Sequence, residues 1–301
     1  MPLNFRFDRI RSTSFGVGHE DDEADSFSLV PVDAEVQNAL AEMAQGTWEA
    51  IQGLDIDGTE YQPSEKYGSQ EYVFLPLASD LAARLRQLHE AANMELNAQA
   101  LSHPASLFCY FASFLDQSDN RLTAVRRATQ FKGIVKSRLV QFITDSMKLV
   151  EDDTFKLDRD FDMLIDSERV HILRPSGFEA IGQLQEAICA AVPANILEIG
   201  REMEFVDFAS IGEYAQRHPR AARYLASIRA QRETQNISPN LLTAACRKYA
   251  IQFQQTNGRI VVMPGSEMEF LNVLDRRMYE LELVEGRPER YRASSRQRLG
   301  N

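Results

Sequence analysis

The chain has 301 residues, of which 44% are hydrophobic, and it carries 33 Lys and Arg against 44 Asp and Glu, a formal net charge of −11. This composition is typical of a globular protein with a sizeable core, in one large domain or two ordinary ones. No run approaches the roughly 18 apolar residues of a membrane-spanning helix, and the first residues lack the pattern of a signal peptide. We therefore expect a cytoplasmic protein.

The residue types that most often carry cofactor chemistry form no recognisable pattern. Cys109, Cys189 and Cys246 are far apart among apolar neighbours, which predicts buried, reduced thiols. The five histidines show no metal-binding spacing, and there is no glycine-rich phosphate loop. We expect no cofactor and no bound metal, and binding is favoured over catalysis.

The first hundred residues read as alternating strands and helices. Residues 3–11 alternate apolar and charged side chains, as in an amphipathic strand, and residues 16–28 read as an exposed loop. Asp33 is placed to cap a helix with apolar residues at helical spacing. The run Tyr72–Leu75 predicts a strand, and Ser79 begins a second helix.

From residue 105 the pattern changes to paired strands. Ser106–Leu115 and Arg121–Thr129 predict a hairpin, and Asp160–Ile165 and Arg169–Leu173 predict a second one. A helix is expected to follow as far as about Ala191.

Three sequences with Ser and Glu three residues apart predict capping boxes at helix starts: Ser176 to Glu179, Ser210 to Glu213 and Ser266 to Glu269. Pro219 and Pro239 each suit the first turn of a helix.

The last part of the chain predicts one long helix followed by strands. The helix should start at Ser238, carry an apolar stripe from Leu242 to Phe253 and end at Gly258. Residues 260–263 then predict a short strand. Residues 278–284 and 290–293 predict a terminal hairpin.

This order predicts an α+β fold in which a mostly antiparallel β-rich part precedes a helical, Arg-rich C-terminal part with a terminal β-hairpin. We divide the chain into an acidic domain, residues 1–195, and a basic helical domain, residues 196–301. Charge changes sign near this division: residues 211–301 hold 15 Lys and Arg against 9 Asp and Glu, a balance of +6, which leaves −17 for residues 1–210.

Such an asymmetry favours a C-terminal surface for an anionic partner. Phosphate recognition requires only Lys and Arg displayed on a surface. The candidate DNA-binding residues are Arg217, Arg220, Arg223, Arg229, Arg232, Arg247, Lys248, Arg276, Arg277, Arg290 and Arg292. Those of residues 217–232 should contribute most, because packing of Tyr224, Leu225 and Ile228 holds their helix in place.

The order of elements also echoes a winged helix-turn-helix. However, the helix that would read the bases begins with Glu267 and Glu269, which would face DNA in its first turn. We therefore expect binding to the backbone of double-stranded DNA with little sequence preference.

Two other classes of function stay open. Asp119, Gln130 and Lys132 resemble the Asp…Gln-x-Lys core of metal-dependent nucleases, and the carboxylates of residues 151–153 and 158–162 could bind Mg²⁺. The third possibility is a non-catalytic scaffold whose acidic part binds a protein.

Several stretches together resemble the KwaB family: Phe131–Ile134, Phe161–Ile165, Val170–Ile172, Gly177–Ile181, Phe270–Leu274 and Tyr291–Arg296. The resemblance covers mainly residues 105–301. It implies a DNA-binding effector of the bacterial Kiwa anti-phage system that acts against phage DNA replication and expression. It further implies recruitment to the inner membrane by a small integral membrane partner, KwaA-like. We also expect a homo-oligomer, and no catalytic residue is carried over.

Overall fold

A computed structural model describes the fold over residues 3–20, 25–67, 70–91, 96–97, 106–128, 140–143, 146–149, 155, 157–231, 236–283 and 287–293. The chain forms two compact units. Unit 1 comprises Met1–Tyr61 and Tyr67–Leu184, and unit 2 comprises Gln62–Lys66 and Gln185–Asn301. The predicted domain boundary between residues 195 and 196 falls inside unit 2, and the division into the two domains stays a prediction.

Unit 1 is built on a large sheet with two short strands beside it. Its strands are β1 (Ile10–His19), β2 (Ser26–Val30), β3 (Asp55–Glu60), β4 (Glu71–Pro76), β5 (Leu107–Asp116), β6 (Arg121–Arg127), β7 (Val140–Ile143), β8 (Ser146–Leu149), β9 (Met163–Ile165) and β10 (Arg169–Ile172). The eight-stranded sheet has the order β2-β1-β5-β6-β9-β10-β4-β3, and β7 pairs with β8. Of the neighbouring pairs in the large sheet, only β3 and β4 run parallel. The predicted α+β fold with a mostly antiparallel β-rich part is thus confirmed.

Helices cover both faces of this sheet: α1 (Ala34–Gln52), α2 (Ala83–Glu90) and α3 (Pro175–Ile181). The buried side of α1 shares one core with Leu122 and Ala124 of β6. Because side chains alternate along a strand, Thr123 points to the opposite face, where its Oγ1 lies 2.8 Å from Nδ1 of His89 in α2. His89 is therefore half-buried.

The predicted hairpins and first helix starts are confirmed. β5 pairs with β6, and β9 pairs with β10, both antiparallel. Asp33 caps α1, since its Oδ1 accepts a hydrogen bond from the backbone of Val36 at 2.9 Å. Ser79 accepts one from Leu81 at 3.3 Å and starts a short 3₁₀ helix that leads into α2.

The strand predicted for residues 3–11 is wrong. Phe7 instead begins a 3₁₀ turn and Phe5 precedes it, and their rings pack edge to face with centres 5.2 Å apart. The strand starts only at Ile10. It continues through part of the predicted loop. Gly16, which suggested that loop, is needed for close packing: a Cβ there would lie 2.4 Å from the ring of Phe111.

Unit 2 combines helices with small sheets. The helices are α4 (Gln185–Ala190), α5 (Val192–Glu202), α6 (Ala209–Ala215), α7 (Pro219–Arg229), α8 (Pro239–Lys248) and α9 (Glu267–Leu274). The strands are β11 (Val206–Asp207), β12 (Phe253–Thr256), β13 (Arg259–Val262), β14 (Met278–Leu281) and β15 (Glu289–Arg292). One sheet has the order β11-β13-β12, and β14 and β15 form the predicted terminal hairpin.

The three predicted capping boxes do not form. α3 starts at Pro175, two residues before the first helical residue of the predicted box, because Pro175 takes its first turn. The helix ends at Gly182, so the predicted continuous helix to residue 191 is two helices. Asp207 rather than Ser210 accepts the first amide of α6. Ser266 does precede α9, but its hydroxyl accepts from the backbone of Gln252 instead.

The long helix predicted from Ser238 is also too long. Pro239 does occupy its first turn, and Leu242 is buried, but α8 ends at Lys248. Gly258, predicted to end it, instead lies with Asn257 in the turn between β12 and β13. The φ of Asn257 is 52° and that of Gly258 is 77°. An Asn-Gly hairpin turn requires positive φ at both positions.

Candidate nucleic-acid interface

Helix α7 carries the arginines predicted to contribute most. Pro219 takes its first turn, and its apolar side is buried through Tyr224, Leu225 and Ile228 as predicted. The arginines lie on the remaining surface of the helix, where the structure separates them into two groups with different surroundings.

Arg217 and Arg220 form the exposed group at the start of α7. Arg217 Nε donates to the carbonyl of Glu213 at 3.1 Å. The Arg220 guanidinium lies 5.7 Å from the ring of Tyr224 and donates to its hydroxyl at 3.3 Å. Both side chains remain exposed, so they can meet a phosphate with little rearrangement of the fold.

Arg223 and Arg229 form the second group and are held within unit 2. Arg223 Nη1 donates to the carbonyls of Pro63 and Glu65 at 2.9 and 2.8 Å. Arg229 forms an ion pair with the carboxylate of Glu65, and its Nε lies 3.6 Å from Glu198. Contact with DNA would require these guanidinium groups to leave their acceptors.

Arg277 is buried in a polar cluster beneath α7. Its Nε donates to Asp275 at 2.5 Å, and its guanidinium lies 4.4 Å from the ring centre of Tyr224. Asp275, fully buried, also accepts from Ser227 and Gln231 at 2.5 and 3.0 Å. Removing one partner of such a buried pair leaves an uncompensated charge, so Arg277 stabilises the fold.

A second exposed basic group joins the end of α8 to the terminal hairpin. Lys248 Nζ lies 2.8 Å from one oxygen of Glu280, and Arg290 Nε lies 3.2 Å from the other. The hydrogen bond from Lys248 is the main cause that lowers the pKa of Glu280. Arg247 and Arg292 flank this bridge and are exposed. We call Arg247, Lys248, Arg290 and Arg292 the basic bridge.

The remaining candidates are Arg276 and Arg232. Arg276 is exposed and has a positive φ of 55° directly after α9. Arg232 lies outside the residues that the structure describes, as do the C-terminal Arg296 and Arg298.

The winged helix-turn-helix arrangement is not formed. In that motif a turn of three or four residues joins two helices, whereas the β12–β13 hairpin separates α8 from α9. The carboxylate of Glu267 accepts from the backbone of Gly265 at 2.8 Å at the start of α9. This acidic, buried first turn is unsuited to reading bases.

The residues that the structure describes do not support the predicted nuclease site. Asp119 lies in the β5–β6 turn with a φ of 62°, and its carboxylate pairs with Arg11 at 2.8 Å. Gln130, Lys132 and the acidic run 151–153 lie outside the described residues. Within the described part of the chain, no three His, Cys, Asp or Glu side chains are grouped to hold a metal ion.

The carboxylates predicted as Mg²⁺ ligands are instead bound by arginines. Asp158 and Asp162 accept from Arg126 at 2.9 and 2.7 Å, and Asp160 pairs with Arg174. Residues 158–162 precede β9 and are not part of a strand, so the strand predicted from Asp160 begins at Met163 instead.

Sequence reasoning missed the position of Asp162 at the centre of a buried network in unit 1. It also accepts from the backbone of Arg127 at 2.8 Å, and burial raises its pKa. Gly177 lies against it, since a Cβ there would be 2.4 Å from the Asp162 Cγ. The motifs around Phe161 and Gly177 therefore carry packing and internal pairing, and the sequence alone held no signal for the contact between Asp162 and Gly177.

The thiols behave as predicted where they are buried. Cys109 and Cys246 are buried and free, and burial raises the pKa of Cys246 to about 11. Cys189 is half-buried, and its pKa is also raised by burial. Raised pKa values keep these sulfurs in the unreactive thiol form.

Comparison with known proteins identifies the family. No helix in the described ranges has the length and apolar character to cross a bilayer. Neither curated proteins nor solved structures gave a match. A family model described as Kiwa protein KwaB-like matches residues 108–283, which include β5 to β14 and thus the Asp162 network, α7 and part of the basic bridge. The chain belongs to the KwaB-like family of the Kiwa anti-phage defence system.

Proposed function

We propose that the protein binds double-stranded DNA through unit 2, with little sequence preference, as the effector of a Kiwa system. The observation that carries this proposal is the set of exposed basic side chains in a chain whose net charge is −11. They lie just before and on α7, on α8, after α9 and on the terminal hairpin: Arg217, Arg220, Arg247, Lys248, Arg276, Arg290 and Arg292.

The physical argument is that of counterion release. Each Lys or Arg that neutralises a phosphate frees condensed cations from DNA, so a displayed basic surface binds any duplex sequence. Base reading needs an element whose side chains reach a groove edge, and the acidic first turn of α9 is unsuited to that role. Backbone contacts therefore dominate the proposed binding mode.

Family membership supports the biological part of the proposal. Kiwa is a system of several components, which supports a protein partner for this chain. We propose a cytoplasmic protein that forms a homo-oligomer, is recruited to the inner membrane by a small KwaA-like integral membrane protein, and interferes with phage DNA replication or expression.

The decisive experiment is a fluorescence anisotropy titration of two labelled duplexes of unrelated sequence at low salt. Both should bind with similar affinity, and rising salt should weaken both by the same factor, because the phosphates are the shared ligand. Absence of binding at low salt would contradict the proposal. A strong preference for one duplex would contradict its sequence tolerance.

A further inference from the structure

The terminal hairpin has two chemically different faces. The strand register pairs Met278 with Arg292 and Glu280 with Arg290, and these residues share one face. The alternate pairs, Tyr279 with Tyr291 and Leu281 with Glu289, lie on the other face. We call this second set the tyrosine face.

The tyrosine face presents aromatic surface to solvent. The two rings stack on each other with their centres 5.4 Å apart and their planes 20° apart. Tyr279 is 45% exposed and Tyr291 is 38% exposed, and the neighbouring Leu281 is 45% exposed. Aromatic side chains dominate core and interface energetics when covered, so this exposed stacked pair is a candidate contact surface.

Basic side chains are concentrated around the terminal hairpin, with Arg290 and Arg292 on the face opposite the tyrosine face. Apart from Arg277, which is buried and paired with Asp275, residues 276–293 together with Arg247 and Lys248 hold six basic and four acidic side chains. Arg290 and Arg292 adjoin Tyr291 in the chain, and a strand advances only about 3.4 Å per residue. Glu289 places a carboxylate on the tyrosine face itself, where it accepts a hydrogen bond from the Tyr291 hydroxyl.

We propose that the tyrosine face stacks unpaired bases, so that the protein takes single-stranded or locally unpaired DNA in addition to duplex. Flat rings beside cations are the usual means of holding single strands, because every base has a π-face and every nucleotide has a phosphate. The inference rests on the proposed DNA binding and extends it to a second substrate class. Tyr and Arg are also enriched at protein–protein interfaces. The surplus of positive charge favours nucleic acid over such a protein partner.

The test compares a labelled oligo-dT single strand with a blunt duplex of equal length, again by anisotropy. The double variant Tyr279→Leu/Tyr291→Leu removes the rings and keeps apolar bulk. It should bind the single strand about ten-fold more weakly or worse, the effect of one lost stacking contact, and bind duplex as the wild type does. Tyr279→Phe/Tyr291→Phe keeps both rings and should keep both affinities. Tyr214→Leu, which removes a half-buried ring on α6, should also leave single-strand binding unchanged.

A second measurement uses the wild-type protein and does not depend on any variant folding. A single strand containing 5-bromodeoxyuridine should photo-crosslink to Tyr279 or Tyr291, as located by mass spectrometry. Crosslinks confined to other residues would overturn the proposal.

Further outcomes separate this inference from the proposed function. If duplex binds but the leucine variant holds the single strand as tightly as the wild type, the tyrosine face is not a base platform, and duplex binding stands. If neither DNA binds at low salt, both proposals fail. If the leucine substitutions change only the oligomeric state measured by light scattering, the face is a protein interface and the inference is overturned.

Discussion

At the scale of single residues, the Asp162 network shows how a motif residue can be structural. Asp162 is only 3% exposed, and it accepts from Arg126 and from the backbone of Arg127. Gly177 permits this burial, because it has no side chain to collide with the carboxylate. Any larger residue at position 177 must displace the carboxylate from its donors.

We therefore predict that Gly177→Ala destabilises the protein by roughly 1–3 kcal/mol, the usual cost of overpacking a buried site. Gly46→Ala is the matched control: it lies in helix α1 with no atom within 4 Å of the added Cβ, and it should stabilise by up to about 1 kcal/mol. Urea unfolding of the two variants measures both. Equal stability of the Gly177→Ala variant and the wild type would refute the packing argument.

His89 makes stability depend on pH. Burial, and to a lesser extent the charge of Arg121, lowers its pKa to about 4 from the ordinary 6.5. The folded state therefore binds fewer protons than the unfolded state between these values. The stabilising contribution of neutral His89 is complete above pH 6.5 and is lost as the pH falls towards 4.

The expected loss from this one residue is up to roughly 3 kcal/mol, at 1.36 kcal/mol per pKa unit. His89→Gln should flatten the fall in unfolding free energy between pH 6.5 and 4, measured by denaturant titrations across that range. His218→Gln, which changes an exposed histidine, should leave the fall unchanged. If the slope in His89→Gln equals that of the wild type, another group causes the acid sensitivity.

At the scale of elements, α7 divides its arginines by their partners. Arg223 and Arg229 bind the segment Gln62–Lys66, whereas Arg217 and Arg220 are exposed. The same substitution in the two groups should therefore have different consequences, one for folding and one for binding.

We predict that Arg223→Ala/Arg229→Ala lowers the melting temperature, because the carbonyls of Pro63 and Glu65 lose a charged donor, a bond of about 1.5–3 kcal/mol. Arg217→Ala/Arg220→Ala should melt as the wild type does and bind duplex DNA more weakly. Differential scanning fluorimetry and anisotropy on the same samples separate the effects. A stable Arg223→Ala/Arg229→Ala variant that no longer binds DNA would instead assign the contact to these residues.

The same helix shows what sequence could predict and what it could not. Pro219 and the stripe through Tyr224, Leu225 and Ile228 predict α7 and its buried side, because both signals are local. The hydrogen bonds that hold Arg223 are accepted by Pro63 and Glu65, about 160 residues away in the chain. One sequence does not predict contacts between residues so far apart.

The errors in the predicted elements have local causes as well. The hairpin turn at Asn257-Gly258 was readable, because this pair favours the positive φ that the turn needs. It was missed because Leu242 and Cys246 began a helical stripe that Phe253 continued by chance. Two predicted capping boxes do not form because Pro175 begins one helix before Ser176, and Asp207 rather than Ser210 accepts the first amide of the other.

At the scale of the whole molecule, the sign of the charge differs along the chain, +6 over residues 211–301 against −17 before them. Net charge alone would repel DNA. The proposed DNA binding therefore requires cations displayed on one surface, so substitutions within that surface should weaken it more than equal changes of net charge elsewhere.

Salt dependence offers the test, because each phosphate contact adds about 0.9 to the slope of log affinity against log salt. Arg247→Gln/Arg292→Gln removes two exposed charges of the basic bridge and should lower this slope by up to about 1.8. Arg6→Gln/Arg9→Gln makes the same change in net charge within unit 1, where both side chains are more than half exposed. It should leave the slope as in the wild type. Equal reductions in the two variants would mean that net charge, and not the basic bridge, governs binding to DNA.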